Sequence, residues 1–184
     1  MTLRLATPAD AAGLAALSIE VWVGTYLRHG IGAGFADYAL THFTKARFQD
    51  WIAAPDETLI LSENRDGVDG YLRLSAGRAL PTSLQTAMPD LSASDPPETE
   101  ISTLYVQPRH QGKGIGQALL RHALALCANR GEAQVWLMAN SENTPALAFY
   151  DAWGARRIGR TDFHLGDQRY PNTVFLLTTE AKAR

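Results

Sequence analysis

A glycine-rich turn between a predicted strand and a predicted helix restricts the fold of this chain more than any other feature. The segment "RHQGKGIGQALL" (109–120) places three glycines within five positions, shortly after the strand-like "EISTLYV" (100–106). Glycine destabilises a helix by roughly 0.5–1 kcal/mol relative to alanine, so this clustering indicates a backbone that a ligand must approach closely. A second strand, "AQVWLMA" (133–139), and a second helix, "NTPALAFYDAWG" (143–154), follow. This β-α-β-α order predicts some parallel pairing.

The rest of the chain extends this pattern into a mixed α/β fold. Alternating apolar residues predict strands at 2–6, 58–63 and 68–78, and the tail predicts two strands around a turn at Gly166. Helical spacing is found in 7–22 and, within the region 24–52, in 35–52. The candidate core contacts in the second of these helical segments are Phe35, Leu40, Phe43, Phe48 and Trp51. Four prolines in 79–99 predict a long loop.

Composition excludes several classes of protein. A chain of 184 residues with 46% hydrophobic residues suits one globular domain, and a net charge of −2 argues against a nucleic-acid binder. Cys127 is the single cysteine, so no internal disulfide forms. The chain lacks an apolar run of the roughly 18 residues that span a bilayer, and its beginning lacks a signal-peptide pattern. We therefore expect a cytoplasmic protein without a membrane or nucleic-acid partner, and no spacing predicts a metal site.

The glycine turn is suited to bind an anion. Amide groups at the start of a helix point outward with the positive end of the helix dipole behind them, and glycine keeps side chains away from the ligand. The spacing fits neither a P-loop nor a dinucleotide fingerprint, and leaves Q-x-x-G-x-G at Gln111, Gly114 and Gly116. Between 107 and 131 there is no acidic residue, and the basic residues are Arg109, Lys113, Arg121 and Arg130. A plain glycine-rich turn beside a solvated basic helix face is the alternative.

Two motifs together identify a resemblance. The turn with its preceding strand, and the segment "NSENTPALAFYDAWGA" (140–155), closely resemble the acyl-CoA-binding core of the GNAT superfamily, the Gcn5-related N-acetyltransferases. The family usually has phenylalanine where this chain has Ala155. The second motif is carried by Asn143, Ala146, Phe149, Tyr150 and Gly154. The resemblance implies one GNAT domain over residues 1–184, with a six- to seven-stranded mixed sheet flanked by helices and a splay between its two central parallel strands.

The resemblance also implies acetyl-CoA as cosubstrate and no metal. The amides of 111–116 would hold the pyrophosphate, and the pantetheine arm would pair with the strand 100–106, where an amide near Val106 would stabilise the oxyanion. Asn143 would hold the pantetheine or a bridging water, although a helix N-cap explains it equally well. The predicted cosubstrate contacts are Leu104, Tyr105, Val106, Gln111, Gly112, Lys113, Gly114, Ile115, Gly116, Asn143 and Tyr150.

Two residues are candidates for acid–base chemistry. Direct attack by an amine requires removal of its proton, and the departing thiolate benefits from a proton donor. The resemblance places Tyr150 as the acid, with a core-facing aromatic residue as the alternative. Glu100 matches the position of the catalytic glutamate in the histone-acetylating branch; a solvent-facing glutamate or a water chain is the alternative.

The acceptor is predicted to be a small cationic amine such as a polyamine. The segment 79–108 contains no lysine or arginine, and its acidic residues are Asp90, Asp95, Glu98 and Glu100. The tail "FHLGDQRYPNTVFLL" and "VWVGTY" loosely resemble bacterial spermidine and spermine acetyltransferases. A protein N-terminus or lysine as acceptor, and a non-catalytic CoA-binding sensor, are the alternatives. The protein is expected to be a monomer or a homodimer.

Overall fold

The computed structural model describes residues 1–26, 30, 32–81, 84, 96–166 and 168–179. The strands in this part of the chain are β1 (Thr2–Leu5), β2 (Glu57–Asn64), β3 (Gly67–Ser75), β4 (Glu100–Val106), β5 (Gln134–Asn140), β6 (Arg156–Leu165) and β7 (Gln168–Thr178). They form one sheet in the order β1-β2-β3-β4-β5-β7-β6. The helices are α1 (Ala11–Tyr26), α2 (Ala33–His42), α3 (Lys45–Ala53), α4 (Ile115–Asn129) and α5 (Thr144–Ala152). The predicted mixed α/β fold is confirmed.

The described residues divide into two compact units, and the first comprises Met1–Leu74 and Thr103–Ala123. Helix α1 begins after a 3-10 turn at Pro8–Asp10 and buries Leu14, Leu17 and Val21, as its spacing predicts. Aromatic rings fill much of the space between the helices and the sheet of this unit. The ring contacts join Trp22, Tyr38, Phe43, Phe48, Tyr71 and Tyr105 through neighbouring pairs.

Leu40 is not a core residue, although the sequence suggested that it is. Its side chain is 64% exposed, whereas Ala39 is buried. Helix α2 turns Phe35, Tyr38 and Ala39 inward, which are positions i, i+3 and i+4 of one helical stripe. Leu40 lies off that stripe and therefore faces solvent. Phe43 and Phe48 are buried, as predicted.

The second unit comprises Ser75–Ser102 and Leu124–Arg184. Strand β7 pairs antiparallel with both β5 and β6, and Gly166 forms the predicted turn between β6 and β7 with φ of 57°. Strands β4 and β5 are parallel, as predicted, with Glu100 opposite Trp136 and Ile101 opposite Leu137. This register involves the first two residues of β4. A buried cluster packs on this part of the sheet and contains Leu80, Leu84, Trp136, Ile158, Val174 and Leu176.

The ends of the predicted loop 79–99 are attached to this second unit. Arg78 N donates to Glu98 O (2.6 Å), and the indole of Trp136 donates to Arg78 O (2.7 Å). Asp90 and Asp95, which entered the acceptor prediction, lie outside the described residues. None of the described helices combines the length and the apolar character needed to cross a lipid bilayer.

Candidate active site

The turn before α4 exposes its backbone at two glycines. After β4 the chain makes a 3-10 turn at Pro108–His110, and Gly112 and Gly114 then adopt φ angles of 75° and 81°. A side chain in this left-handed region costs roughly 1–2 kcal/mol, because its Cβ approaches the following carbonyl oxygen. A Cβ built on either glycine would have no atom within 4 Å outside its chain neighbours. The backbone of the turn is therefore not covered by side chains.

The first turn of α4 presents amide groups without intrahelical partners. Ala118 N donates to Gly114 O (3.0 Å). The N–H groups of Ile115, Gly116 and Gln117 precede this bond, so the helix offers them no carbonyl. The positive end of the helix dipole lies at the same point. This combination of open glycines and outward amides is a general arrangement for binding phosphate groups.

The start of α4 is held against the sheet by a close approach to Gly70 of β3. A Cβ built on Gly70 would lie 3.0 Å from Ile115 Cγ2, 3.1 Å from Tyr105 O and 3.3 Å from Leu119 Cδ1. A Cβ at this position would require Ile115, Leu119 or the backbone of β4 to move by a few tenths of an ångström. Sequence reasoning missed Gly70, but an isolated glycine within a strand pattern is a known signal of close backbone approach.

Three hydrogen bonds fix the path of the turn. Gln107 N donates to Asp69 O (2.9 Å), and His110 N donates to Gln107 O (2.8 Å). The side-chain amide of Gln111 donates to Val106 O (3.1 Å). Gln111 therefore shapes the turn by bonding to the end of β4.

The positive charge of the turn is smaller than the sequence alone indicates. Arg109 forms an ion pair with Glu20 of α1, with 3.0 Å between the guanidinium and the carboxylate. Lys113, in contrast, is exposed between the two left-handed glycines. The backbone amides and Lys113 are therefore the main groups of this turn that attract an anion, and Arg109 contributes less.

The end of β4 directs some of its backbone groups away from β3. Gln107 donates its amide hydrogen to β3, and Tyr105 O faces Gly70 of the same strand. Backbone groups of successive residues point to opposite edges of a strand. Leu104 and Val106 therefore direct their N–H and C=O groups to the edge opposite β3, and Val106 O is already bonded by Gln111.

Asn143 caps helix α5. Its side-chain oxygen accepts a hydrogen bond from Ala146 N (3.2 Å), which satisfies one of the free amides at the helix start. The capping function that sequence analysis gave as the alternative is therefore present. Its side-chain NH2 has no hydrogen-bond partner among the described residues.

Tyr150 lies on the buried face of α5. It is 7% exposed, and its ring lies 5.2 Å from that of Phe149 and 5.5 Å from that of Phe175. Within the described residues its hydroxyl has no hydrogen-bond partner. Burial raises the pKa of this phenol well above its usual value. Tyr150 therefore holds its proton at neutral pH, and no described residue accepts that proton in a hydrogen bond.

Glu100 is the first residue of β4 and is partly buried. Like Asn143 and Tyr150, Glu100 belongs to the second unit, whereas Leu104–Val106 and the turn 111–116 belong to the first.

Cys127 is fully buried, and burial raises the pKa of its thiol to about 12, so the thiol is inert at neutral pH. The described part of the chain contains no cluster of three or more His, Cys, Asp or Glu residues that would hold a metal ion.

Comparison with known proteins assigns the class. The fold matches that of PaiA N-acetyltransferase from Thermoplasma acidophilum, solved in complex with coenzyme A, with a TM-score of 0.69 and 17% identity, covering 94% of this chain and 98% of that one. The chain is 28% identical to an uncharacterised N-acetyltransferase of Mycobacterium tuberculosis over 131 residues, 71% of this chain and 73% of the relative. It is also 28% identical over 159 residues to N-alpha-acetyltransferase RimI of that species, 86% and 80% of the two chains.

The family is shown by a match to a family sequence profile. The sequence profile of the acetyltransferase (GNAT) family matches residues 24–155. The chain belongs to this family, and the resemblance identified in the two motifs is confirmed. The protein is accordingly an acyltransferase, as predicted. Membership of this family also supports acetyl-CoA as the acetyl donor.

Proposed function

We propose that this protein transfers the acetyl group of acetyl-CoA to a primary amine by direct attack in a ternary complex. The observation that carries the proposal is the uncovered turn at Gly112 and Gly114, followed by the free amides of α4. The family match crosses both compact units, which supports a single acetyltransferase domain over residues 1–184.

The cosubstrate is held by backbone groups of the first unit. The amides of 111–116 bind the pyrophosphate, and each hydrogen bond to a charged group contributes roughly 1.5–3 kcal/mol. The pantetheine arm pairs with Leu104 and with the N–H of Val106, which point away from β3. The free NH2 of Asn143 is available to the arm or to a bridging water.

The chemical step forms one bond and breaks one. The neutral amine attacks the thioester carbonyl, and the C–N bond forms while a base takes the amine proton. An amide near Val106 stabilises the oxyanion, which is worth on the order of 3–4 kcal/mol of barrier. The C–S bond then breaks, and Tyr150 donates its proton to the CoA thiolate. The products are the N-acetylamine and free CoA.

Tyr150 has the properties that a general acid needs. A phenol with the ordinary pKa of about 10 keeps its proton at neutral pH, and burial raises that pKa further; the hydroxyl is not committed to another described residue. The CoA thiol has a reference pKa near 8.5, below that of the phenol, so the transfer depends on the hydroxyl being held within hydrogen-bond distance of the developing thiolate. The aromatic contacts with Phe149 and Phe175 hold the ring in place.

Glu100 serves as base through water. Six residues of extended strand span about 20 Å, so its carboxylate does not reach an amine beside Val106 directly. A chain of water molecules between them transfers the proton. The partial burial of Glu100 at the start of β4 supports this function.

The acceptor is a small cationic amine, with a polyamine as the first candidate. Support comes from the absence of lysine and arginine in 79–108 and from its acidic residues, of which Glu98 and Glu100 are described. The α-amino group of a protein is the second candidate, favoured by the relative named N-alpha-acetyltransferase RimI. The uncommitted hydroxyl of Tyr150 favours an enzyme over a CoA sensor, which has no need of a proton donor.

A thiol-release assay tests the function. The protein is incubated with acetyl-CoA and a panel of spermidine, spermine, amino acids and peptides with free N-termini. We expect CoA release above the amine-free control with polyamines. Release with N-terminal peptides alone would select the second candidate. Acetyl-CoA at 100 times its Kd should also stabilise the fold by about 2.7 kcal/mol. The absence of any shift at millimolar acetyl-CoA would contradict the proposal.

A further inference from the structure

Helix α1 is connected to the glycine turn through one carboxylate. Glu20 Oε2 accepts a hydrogen bond from the side-chain amide of Gln107 (2.9 Å), and Glu20 Oε1 accepts one from Arg109 (3.0 Å). The two donors are separated from Glu20 by 87 and 89 positions in the sequence. One side chain of α1 therefore holds two residues at the entrance of the turn.

We propose that Glu20 is a positioning residue for acetyl-CoA, which acts by fixing Gln107 and, through it, the path of the glycine turn. This inference rests on the proposed function. Gln107 directly follows β4 and begins the turn: its N–H bonds to Asp69 O, and its carbonyl accepts from His110 N. With its side chain bound to Glu20, Gln107 is held through its amide, its carbonyl and its side chain. The amides that follow are thereby presented in a fixed direction before the ligand arrives.

The bond to Gln107 carries more of this effect than the ion pair with Arg109. Arg109 is 69% exposed at its side chain, and exposed ion pairs contribute little because solvent screens them. Gln107 is partly buried, and its bond is a charge-assisted hydrogen bond. The hydrogen bond from Gln107 is also the largest influence on Glu20, whose pKa it lowers, so the carboxylate is ionised at neutral pH.

The test measures acetyl-CoA binding by calorimetry and steady-state kinetics in five variants. We expect Glu20→Ala to raise Kd and KM for acetyl-CoA about tenfold, with kcat changed less than twofold, since a lost charge-assisted bond is worth a factor of this order. Gln107→Ala should reproduce that effect, and the double variant should be no worse than either single one. Arg109→Ala should change KM less than twofold. Glu20→Gln retains an acceptor for Gln107 and should recover most of the affinity.

Glu63→Ala is the matched control. Glu63 pairs with Arg4 across 2.8 Å and its side chain is 31% exposed, against 35% for Glu20, but it does not contact the turn. We expect wild-type KM from this variant. Wild-type binding by both Glu20→Ala and Gln107→Ala, while the wild-type protein binds acetyl-CoA, would overturn this inference alone. Failure of the wild-type protein to bind acetyl-CoA would overturn the proposed function together with it. Should Glu20→Ala not fold, Gln107→Ala and Glu20→Gln decide the matter in the same assay.

Discussion

Gly70 of β3 and Ile115 of α4 approach each other so closely that a Cβ on Gly70 would lie 3.0 Å from Ile115 Cγ2. Ile115 begins the helix whose amides follow the open turn. The stability of the first unit and the position of the proposed phosphate site therefore both depend on this contact.

Replacing Gly70 by alanine should destabilise the protein. The added methyl would also lie 3.1 Å from Tyr105 O, a backbone atom that cannot rotate away as a side chain does. Overpacking of this kind costs typically about 1–3 kcal/mol. Urea unfolding measures the change. Gly13→Ala is the control, for which we expect a gain in stability instead of a loss. A Cβ on Gly13 would meet only Val68 at an ordinary 3.9 Å, and a Gly→Ala change within a helix stabilises by roughly 0.5–1 kcal/mol. Equal stabilities for the two variants would refute this reading of the packing.

Gly114→Glu should abolish acetyl-CoA binding. The side chain would add bulk and negative charge beside the amides that we assign to the pyrophosphate. Gly131→Glu is the matched control, because Gly131 has the same φ of 81° and open surroundings, but follows the end of α4. Both variants carry similar backbone strain, so the loss of affinity should be confined to Gly114→Glu. Calorimetry measures the affinity of both variants for acetyl-CoA. Retained affinity in Gly114→Glu would exclude the turn from the binding site.

Tyr150→Phe should lower kcat by about 100-fold or more, the usual contribution of a general acid. Affinity for acetyl-CoA should change little, since the ring and its contacts with Phe149 and Phe175 remain. Single-turnover kinetics with a saturating amine measures the effect. Tyr170→Phe, which removes a hydroxyl from β7, should leave kcat unchanged. Undiminished turnover by the Tyr150 variant would remove this residue from the chemistry.

Acid should weaken the first unit through Asp10. Arg4 donates two hydrogen bonds of 2.8 Å to its carboxylate and holds the pKa of Asp10 well below its usual value. A depressed pKa contributes stability above the unfolded pKa of about 3.9, and that contribution is lost as pH falls below it. Asp10→Asn should cost roughly 1 kcal/mol at pH 7, discounted for the partly exposed Arg4. In unfolding measurements, the difference in unfolding free energy between Asp10→Asn and wild type should shrink as the pH falls toward 3. A constant difference across this range would contradict the assignment.

Most helices and strands could be predicted because their signals lie within a few neighbouring residues. The buried stripe of α4, with Leu120, Ala123, Leu124 and Cys127, follows directly from helical spacing. Leu40 was predicted wrongly because apolar character alone does not show which face of α2 meets the aromatic residues. The sequence alone could not show whether Asn143 caps the helix or contacts the cosubstrate, since its side chain suits both functions.

The glycine turn and the two motifs that define the family follow from the amino-acid sequence alone, because residue type and motif spacing are local properties. The structure added that Gly112 and Gly114 are the left-handed positions of the turn. Only the tertiary structure decided that Glu20 bonds to Gln107, that Gly70 admits Ile115, and that the Tyr150 hydroxyl has no structural partner among the described residues. These relationships join segments up to 87 positions apart, and they depend on which faces pack together once the apolar surfaces are buried.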